Sequence, residues 1–362
     1  MPQNDRTPIR DGLHTMEVLN VLNGEIIMPK QIDQVYKVGR SFFCACVAFV
    51  AYFAMADIAA AETYPSKVIK VINPWPPGGG ADILVRALMI KLSERLGQPI
   101  VIENRAGASG VIGSAVVAKS APDGYTLLFS HVGPIAISPA MQADMPYDSV
   151  KDFAPVTQVV SGALALTVRP ELPVKTLQEL VAYCKTLTGK SSVSYGSIGV
   201  GSTTHLAAEM LQSKAGITLL HVPYKGTMPV ITDMLGGQID IAFHSTLVVQ
   251  PYLESGKLRG IAVTTLKRSG LLPNLPAIAE LYPGYEVNSW YGVMAPARTP
   301  KDIVARLQKE IAEVLKLPDI LAMLKAGGLD PEGTTPEQHA TKIKEDMARW
   351  AALIKTAGLA PG

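Results

Sequence analysis

Two residues in this sequence have a spacing suited to nucleophilic catalysis. Ser202 and His205 lie three positions apart at the start of a predicted helix. A serine nucleophile needs a base within reach and a third group that orients the base. The sequence shows no evident acidic partner, and a serine directly before a helix is typical of an N-cap. We therefore interpret Ser202 as a cap, and a secreted serine hydrolase stays a distant alternative.

Other catalytic and metal-binding motifs are missing from the sequence. There is no phosphate loop and no G-x-G-x-x-G pattern. Residues 107–111 (GASGV) resemble a nucleophile elbow but end in valine where glycine is required. The six histidines form no H-E-x-x-H or other close ligand pair. We predict no enzymatic activity, no metal and no cofactor.

Backbone groups offer a different chemistry, which is anion binding. Residues 68–82 (VIKVINPWPPGGGAD) read as a buried strand, a Pro/Gly loop and a helix start. Such a turn exposes backbone N–H groups at the positive end of a helix dipole. Residues 192–202 (SVSYGSIGVGS) repeat the design before a second predicted helix. The alternative for either segment is a plain strand–helix turn.

Charged side chains near these loops have two interpretations. Lys225 follows a predicted strand and could offer a cation to an acidic ligand, or it could be a solvated surface lysine. Asp82 and Arg86 are four positions apart on one predicted helix, where a local ion pair is the default.

The elements that must position these loops alternate along the chain from residue 64 onward. This alternation predicts an α/β fold of βαβ units around parallel sheets. Ligands bind beyond the carboxyl ends of such strands, so the two glycine loops predict two lobes that face a common cleft. The predicted strands are 68–72, 100–103, 126–130, 163–168, 192–195, 219–222, 239–243, 258–264 and 291–295. The predicted helices are 82–96, 111–119, 176–188, 203–214, 228–236, 301–316 and 336–357.

Composition limits the class of protein. A length of 362 residues is enough for two domains, and 48% hydrophobic and 18% charged residues are typical of a globular chain. A net charge of +2 with no Lys/Arg-rich run argues against a nucleic-acid partner.

The N-terminus has the pattern of a secretory signal peptide. Lys37 and Arg40 precede an uncharged run, 41–56, and small residues follow at 59–61. We predict that residues 1–61 are a signal peptide that is cleaved near Ala61. This segment is longer than a usual signal peptide, and we predict that translation starts at Met28. The alternative is a membrane anchor, for which the run is short.

Seven segments, in this order, resemble the receptors of the tripartite tricarboxylate transporter family, known as TctC or Bug receptors. Each is a weak signal alone, but the ordered set covers residues from about 64 to 359. The segments are 74–79 (PWPPGG), 102–108 (IENRAGA), 121–128 (APDGYTLL), 199–206 (GVGSTTHL), 222–226 (VPYKG), 289–292 (SWYG) and 295–297 (APA).

This resemblance implies a two-lobed periplasmic binding protein, or Venus flytrap, with Rossmann-like lobes joined by crossover strands near 163–168 and 286–291. Lobe 1 is expected at 62–164 plus 287–362, and lobe 2 at 165–286. The implied function is capture of a small carboxylate in the periplasm for the membrane permease subunits of a transporter, by a monomer. A sensory receptor that signals to a partner such as a sensor kinase is the alternative.

The resemblance also carries over a set of ligand-binding positions. Trp75 and His131 depart from the residues common in the family, and both could narrow the pocket. The expected binding residues are Trp75, Pro77, Gly78, Gly79, Asp82, Ser130, His131, Gly199, Gly201, Ser202, Thr203, His205, Tyr224, Lys225 and Gly226.

Overall fold

The computed structural model describes residues 21–22, 25–26, 64–187 and 192–356. The chain divides into two units, residues 1–63 and 64–362. In the first unit, strands β1 (Val21–Leu22) and β2 (Glu25–Ile26) pair antiparallel. The predicted start at Met28 and the predicted signal features at 37–61 lie outside the described residues.

The second unit contains ten strands among its described residues. They are β3 (Ile69–Asn73), β4 (Ile100–Asn104), β5 (Thr126–His131), β6 (Phe153–Val168), β7 (Val193–Ser197), β8 (Leu219–Pro223), β9 (Ile241–Ser245), β10 (Arg259–Val263), β11 (Asn288–Pro296) and β12 (Leu329–Pro331).

Eleven α-helices lie in the described part of this unit, with a short 3₁₀ turn at Ala108–Gly110 and a π-helical turn at Gly133–Ile137. The α-helices are α1 (Gly80–Leu96), α2 (Val111–Ala118), α3 (Ser138–Met141), α4 (Leu177–Thr186), α5 (Thr203–Ala215), α6 (Thr227–Leu235), α7 (Thr246–Glu254), α8 (Ile278–Leu281), α9 (Lys301–Val314), α10 (Pro318–Ala326) and α11 (Pro336–Thr356).

One long strand, β6, belongs to both lobes. Its residues 153–163 pair with β11, whereas residues 164–168 pair with β9. On one side β3 pairs in parallel with β4 and β5, and on the other β7 pairs in parallel with β8 and β9. We call the β3–β5 side, with β11 and β12, the first lobe, and the β7–β10 side the second lobe.

The expectation of parallel sheets is corrected in part by this topology. β6 pairs antiparallel with β9, β10, β11 and β12, and β11 is also antiparallel to β5. A chain that crosses between lobes and returns must run its two crossover strands in opposite directions. The parallel prediction holds for β3 with β4 and β5, and for β7 with β8 and β9.

Apolar helix faces bury against the sheet on each lobe. Leu84 and Leu88 of α1 and Leu307 of α9 share one core with β3, and all three are at most 1% exposed. In the second lobe Leu206 of α5 and Leu166 of β6 belong to one hydrophobic core. Each such leucine contributes about 1.5–3 kcal/mol by leaving water. These cores hold the loops at the strand ends in fixed positions.

Over the described residues, no helix is both long and apolar enough to span a membrane.

Candidate functional site

The loops at the strand ends of both lobes enclose a cavity of about 40 Å³. This volume is small beside the roughly 300–1,000 Å³ of common ligand pockets. The lobes touch around it: the Ser109 hydroxyl donates a hydrogen bond to the Val200 carbonyl over 2.6 Å. The structure is therefore a closed form of the cleft.

Four helices direct their N-termini at this cavity. Gly80 and Ala81 begin α1, Thr203 begins α5, Thr227 begins α6, and Ser245 is the N-cap of α7; all five line the cavity. Among the residues that the structure describes, no side chain caps α1, α6 or α7. Helix N-termini carry partial positive charge and free N–H donors, so their convergence favours an anion.

Within the described part of the chain, the cavity walls carry no ionic side chain. The residues that line it include no Asp, Glu, Lys or Arg. Burial lowers the pKa of His131 to about 3 and that of His244 to about 4, so both imidazoles are neutral at pH 7. An anion here would meet dipoles and hydroxyl groups instead of a fixed cation.

Thr203 supplies a hydroxyl that is available to a ligand. The residue is 1% exposed, lines the cavity, and its Oγ1 has no hydrogen-bond partner among the described residues. An unpaired buried hydroxyl costs about 1–3 kcal/mol, which a ligand oxygen would recover.

Ser202 caps α5, as its position in the sequence indicates. Its Oγ accepts the His205 N–H over 3.3 Å and donates to the Gly199 carbonyl over 2.6 Å. The His205 ring lies elsewhere, with Nδ1 accepting from the Gly201 N–H and Nε2 3.8 Å from Glu209. The Ser202 hydroxyl therefore has no contact with the base that a serine hydrolase requires.

Asp82 stabilises the first glycine loop through hydrogen bonds. Its carboxylate accepts the Gly78 N–H over 3.1 Å and the Asn104 amide over 2.9 Å, and it pairs with Arg86. Burial acts to raise the pKa of Asp82, but these hydrogen bonds outweigh burial and hold the pKa below its ordinary value. All of these contacts lie within the first lobe, and Asp82 does not line the cavity.

A second cavity of about 400 Å³ adjoins the first, and Trp75 and Ile198 line both. Gly199, Tyr224 and the exposed Lys225 line this outer cavity. The Tyr224 hydroxyl is engaged with Asp233 at 2.6 Å. A ligand in the inner cavity would meet Lys225 only by extending past Trp75.

The expected binding residues thus fall into three groups. The inner cavity is lined by Trp75, Gly79, His131, Thr203 and Gly226. The outer cavity is lined by Trp75, Gly199, Tyr224 and Lys225. Neither cavity is lined by Pro77, Gly78, Asp82, Ser130, Gly201, Ser202 or His205.

Sequence reasoning overlooked several residues that line the inner cavity. Ser245 ends β9 and lies beyond the predicted strand 239–243, and the helix after it was not predicted, so the sequence did not indicate that Ser245 is an N-cap. Ser289 and Tyr291 stand in the SWYG segment on β11, where period-2 alternation points both side chains to one face. His244, next to Ser245, carried no signal beyond its residue type.

Two α/β lobes that share β6 and close on an uncharged cavity define a two-lobed binding protein. Residues 84–359 match the family described as the tripartite tricarboxylate transporter family receptor, and the chain belongs to this family. Protein BugT of Bordetella pertussis (strain Tohama I / ATCC BAA-589 / NCTC 13251) is 37% identical over 312 residues, which cover 86% of this chain and 95% of BugT.

Solved structures of similar chains share the fold. The periplasmic binding protein BugD is 35% identical with a TM-score of 0.78, over 82% of this chain and 99% of BugD. Rpa4515 of R. palustris, whose structure contains adipate, is 36% identical with a TM-score of 0.79, over 83% of this chain and 100% of Rpa4515. The predicted family and two-lobe fold are confirmed.

Proposed function

We propose that this protein is an extracytoplasmic receptor that captures a small carboxylate between its lobes and delivers it to a tripartite tricarboxylate permease. The observation that carries the proposal is the convergence of four helix N-termini on a cavity without ionic side chains. Backbone N–H groups and dipoles suffice to bind a carboxylate at such a position. The adipate in the similar structure of Rpa4515 is a carboxylate of this kind.

The proposal includes how the ligand is held. The contacts come from the residues of the inner cavity, with Thr203 as one donor and the α1 and α6 N-termini as others. A ligand that touches both lobes stabilises the closed form relative to the open one. Lys225, in the outer cavity, would be reached only by the far end of a longer diacid.

The remaining parts of the proposal concern the whole chain. The protein acts as a monomer, binds without turnover, and reaches the periplasm after cleavage near Ala61. Its lobes divide at 164/165 and 286/287, a boundary supported by the change of β6 partners after residue 163. A sensory partner in place of a permease would use the same closed surface.

Calorimetry and thermal melts with carboxylic acids test the proposal. The probes are succinate, glutarate, adipate, malate and benzoate, each matched with its amide. Ligand at 100 times its Kd stabilises the folded state by about 2.7 kcal/mol, so at least one acid should raise the Tm while its amide does not. If no acid binds at millimolar concentration, or if amides bind as tightly as acids, the proposal is wrong.

Binding should also change the intrinsic fluorescence of one tryptophan. Trp75 lines the inner cavity, whereas Trp290 and Trp350 are buried and do not line it. Titration with the tightest acid of the panel should therefore change the emission of the wild-type protein and leave that of Trp75→Phe nearly constant. Calorimetry on Trp75→Phe shows whether it still binds. A full signal in that variant would place the ligand elsewhere.

A further inference from the structure

His131, the last residue of β5, makes two hydrogen bonds that fix its tautomer. The Gly133 N–H donates to Nδ1 over 3.2 Å, and Nε2 lies 2.8 Å from the Ser289 hydroxyl. An imidazole nitrogen that accepts a hydrogen bond carries no proton, so in the neutral ring the proton is on Nε2. His131 therefore donates to Ser289, and the Ser289 hydroxyl proton must point away from the ring.

The hydroxyl of Ser289 leads into a chain of hydroxyls along the cavity wall. Burial raises the pKa of the Tyr291 phenol to about 12, and hydrogen bonds with Ser245 and Ser289 act in the opposite direction. Tyr291 and Ser245 both lie close to Gly80, the first residue of α1. Since the imidazole starts this chain as a donor, Ser289 accepts from His131 and donates to the Tyr291 oxygen, so the proton of the phenol is directed onward.

We propose that His131 is a positioning residue that acts through Ser289 and turns the hydroxyl of Tyr291 into a hydrogen-bond donor for the anionic group of the ligand. The inference rests on the proposed function and deepens it, because it states what sets the specificity of the site. Trp75 packs edge-on against the imidazole with ring centroids 5.5 Å apart and helps to hold its orientation.

A hydroxyl that is held as a donor selects the ionised acid. A carboxylate accepts at both oxygens, whereas an amide places an NH₂ group against donors and leaves them unpaired. Mismatch of buried polar groups discriminates between ligands more strongly than a difference of one methylene does. His131 thus favours carboxylates over amides of the same shape.

Two substitutions separate the donor from the shape of the side chain. In His131→Gln the amide nitrogen can replace Nε2 as a donor to Ser289, whereas His131→Leu fills the space without a donor. For the acid of the panel that the wild type binds most tightly, we expect about 10- to 100-fold weaker binding by His131→Leu, the range for a lost hydrogen bond to a charged group. His131→Gln should stay within about threefold of the wild type.

The controls use the same acid and calorimeter. Ser289→Ala should match the loss in His131→Leu, and His339→Gln, a buried histidine outside both cavities, should bind like the wild type. Unchanged binding by His131→Leu, or equal losses in His131→Leu and His131→Gln, overturns this inference and leaves the proposed function intact. If the wild type binds no acid, the proposed function fails as well.

Discussion

Replacing Gly226 by valine should weaken ligand binding by at least about 100-fold, because the closed form would no longer be accessible. Gly226 precedes α6 in the second lobe, and a Cβ atom at this position would lie 2.5 Å from Cγ of Pro76 in the first lobe. Its φ of 171° is extended, so a side chain is compatible with the local backbone. The substitution blocks the approach of the lobes without straining either lobe.

Calorimetry with the acid that binds the wild type measures this loss, and thermal melts without ligand check the fold. Gly226→Ser serves as a second variant, since serine is a good N-cap and still introduces the Cβ. Gly270→Val is the matched control, because no atom lies within 4 Å of a Cβ at that position. Wild-type affinity in Gly226→Val would contradict the closed site described above.

Acid should destabilise the folded protein steeply below pH 6.5. Burial lowers the pKa from its ordinary value of 6.5 to about 3 for His131 and His339 and to about 4 for His205 and His244. Between those values the unfolded chain binds protons that the folded chain cannot, so stability is complete above pH 6.5 and falls as the pH falls. Each histidine removes at most about 1.4 kcal/mol per pH unit.

Urea unfolding at pH 7.5, 6.5 and 5.5 measures this dependence. The slope of unfolding free energy against pH should be smaller in His339→Gln, which lacks one titrating group, whatever its stability at pH 7.5. A packing defect in this variant would lower the unfolding free energy at every pH and would leave the slope unchanged. Equal stability at pH 7.5 and 5.5 would show that these imidazoles gain protons in the folded state.

The long periodic elements were predictable from sequence because local signals agree with the final packing. The helix expected at 82–96 is α1, and that expected at 203–214 is α5, with Ser202 capping it as expected. Both follow a strand and a glycine loop. Propensity, capping and apolar spacing point to the same answer at these positions.

Other elements had no readable local signal. α7 (Thr246–Glu254) contains Pro251, which argues against a helix from sequence alone. β6 begins ten residues before the predicted strand at 163–168, because its first part is paired with β11 from far along the chain. Long-range pairing leaves no periodicity that distinguishes this strand from a loop.

Within the candidate site, the sequence identified the loops but not which residues of each loop line the cavity. Asp82 and Thr203 both follow glycine loops at helix starts. Asp82, however, accepts a hydrogen bond from its own loop, whereas Thr203 lines the cavity. Lys225 has the charge expected for an anion site but stands in the outer cavity. Which residue of a turn faces the cleft depends on hydrogen bonds to residues outside the turn, such as the bond from Asn104 to Asp82.

The sequence alone determined the family, the α/β class and the two glycine loops that end in helices, because these are encoded in local patterns and ordered motifs. Only the tertiary structure decided that four helix N-termini share one cavity, and that His131 is joined to Ser289, 158 residues away. The physical reason is that burial and hydrogen-bond direction are properties of atoms brought together by the shared strand β6. Sequence spacing does not contain them.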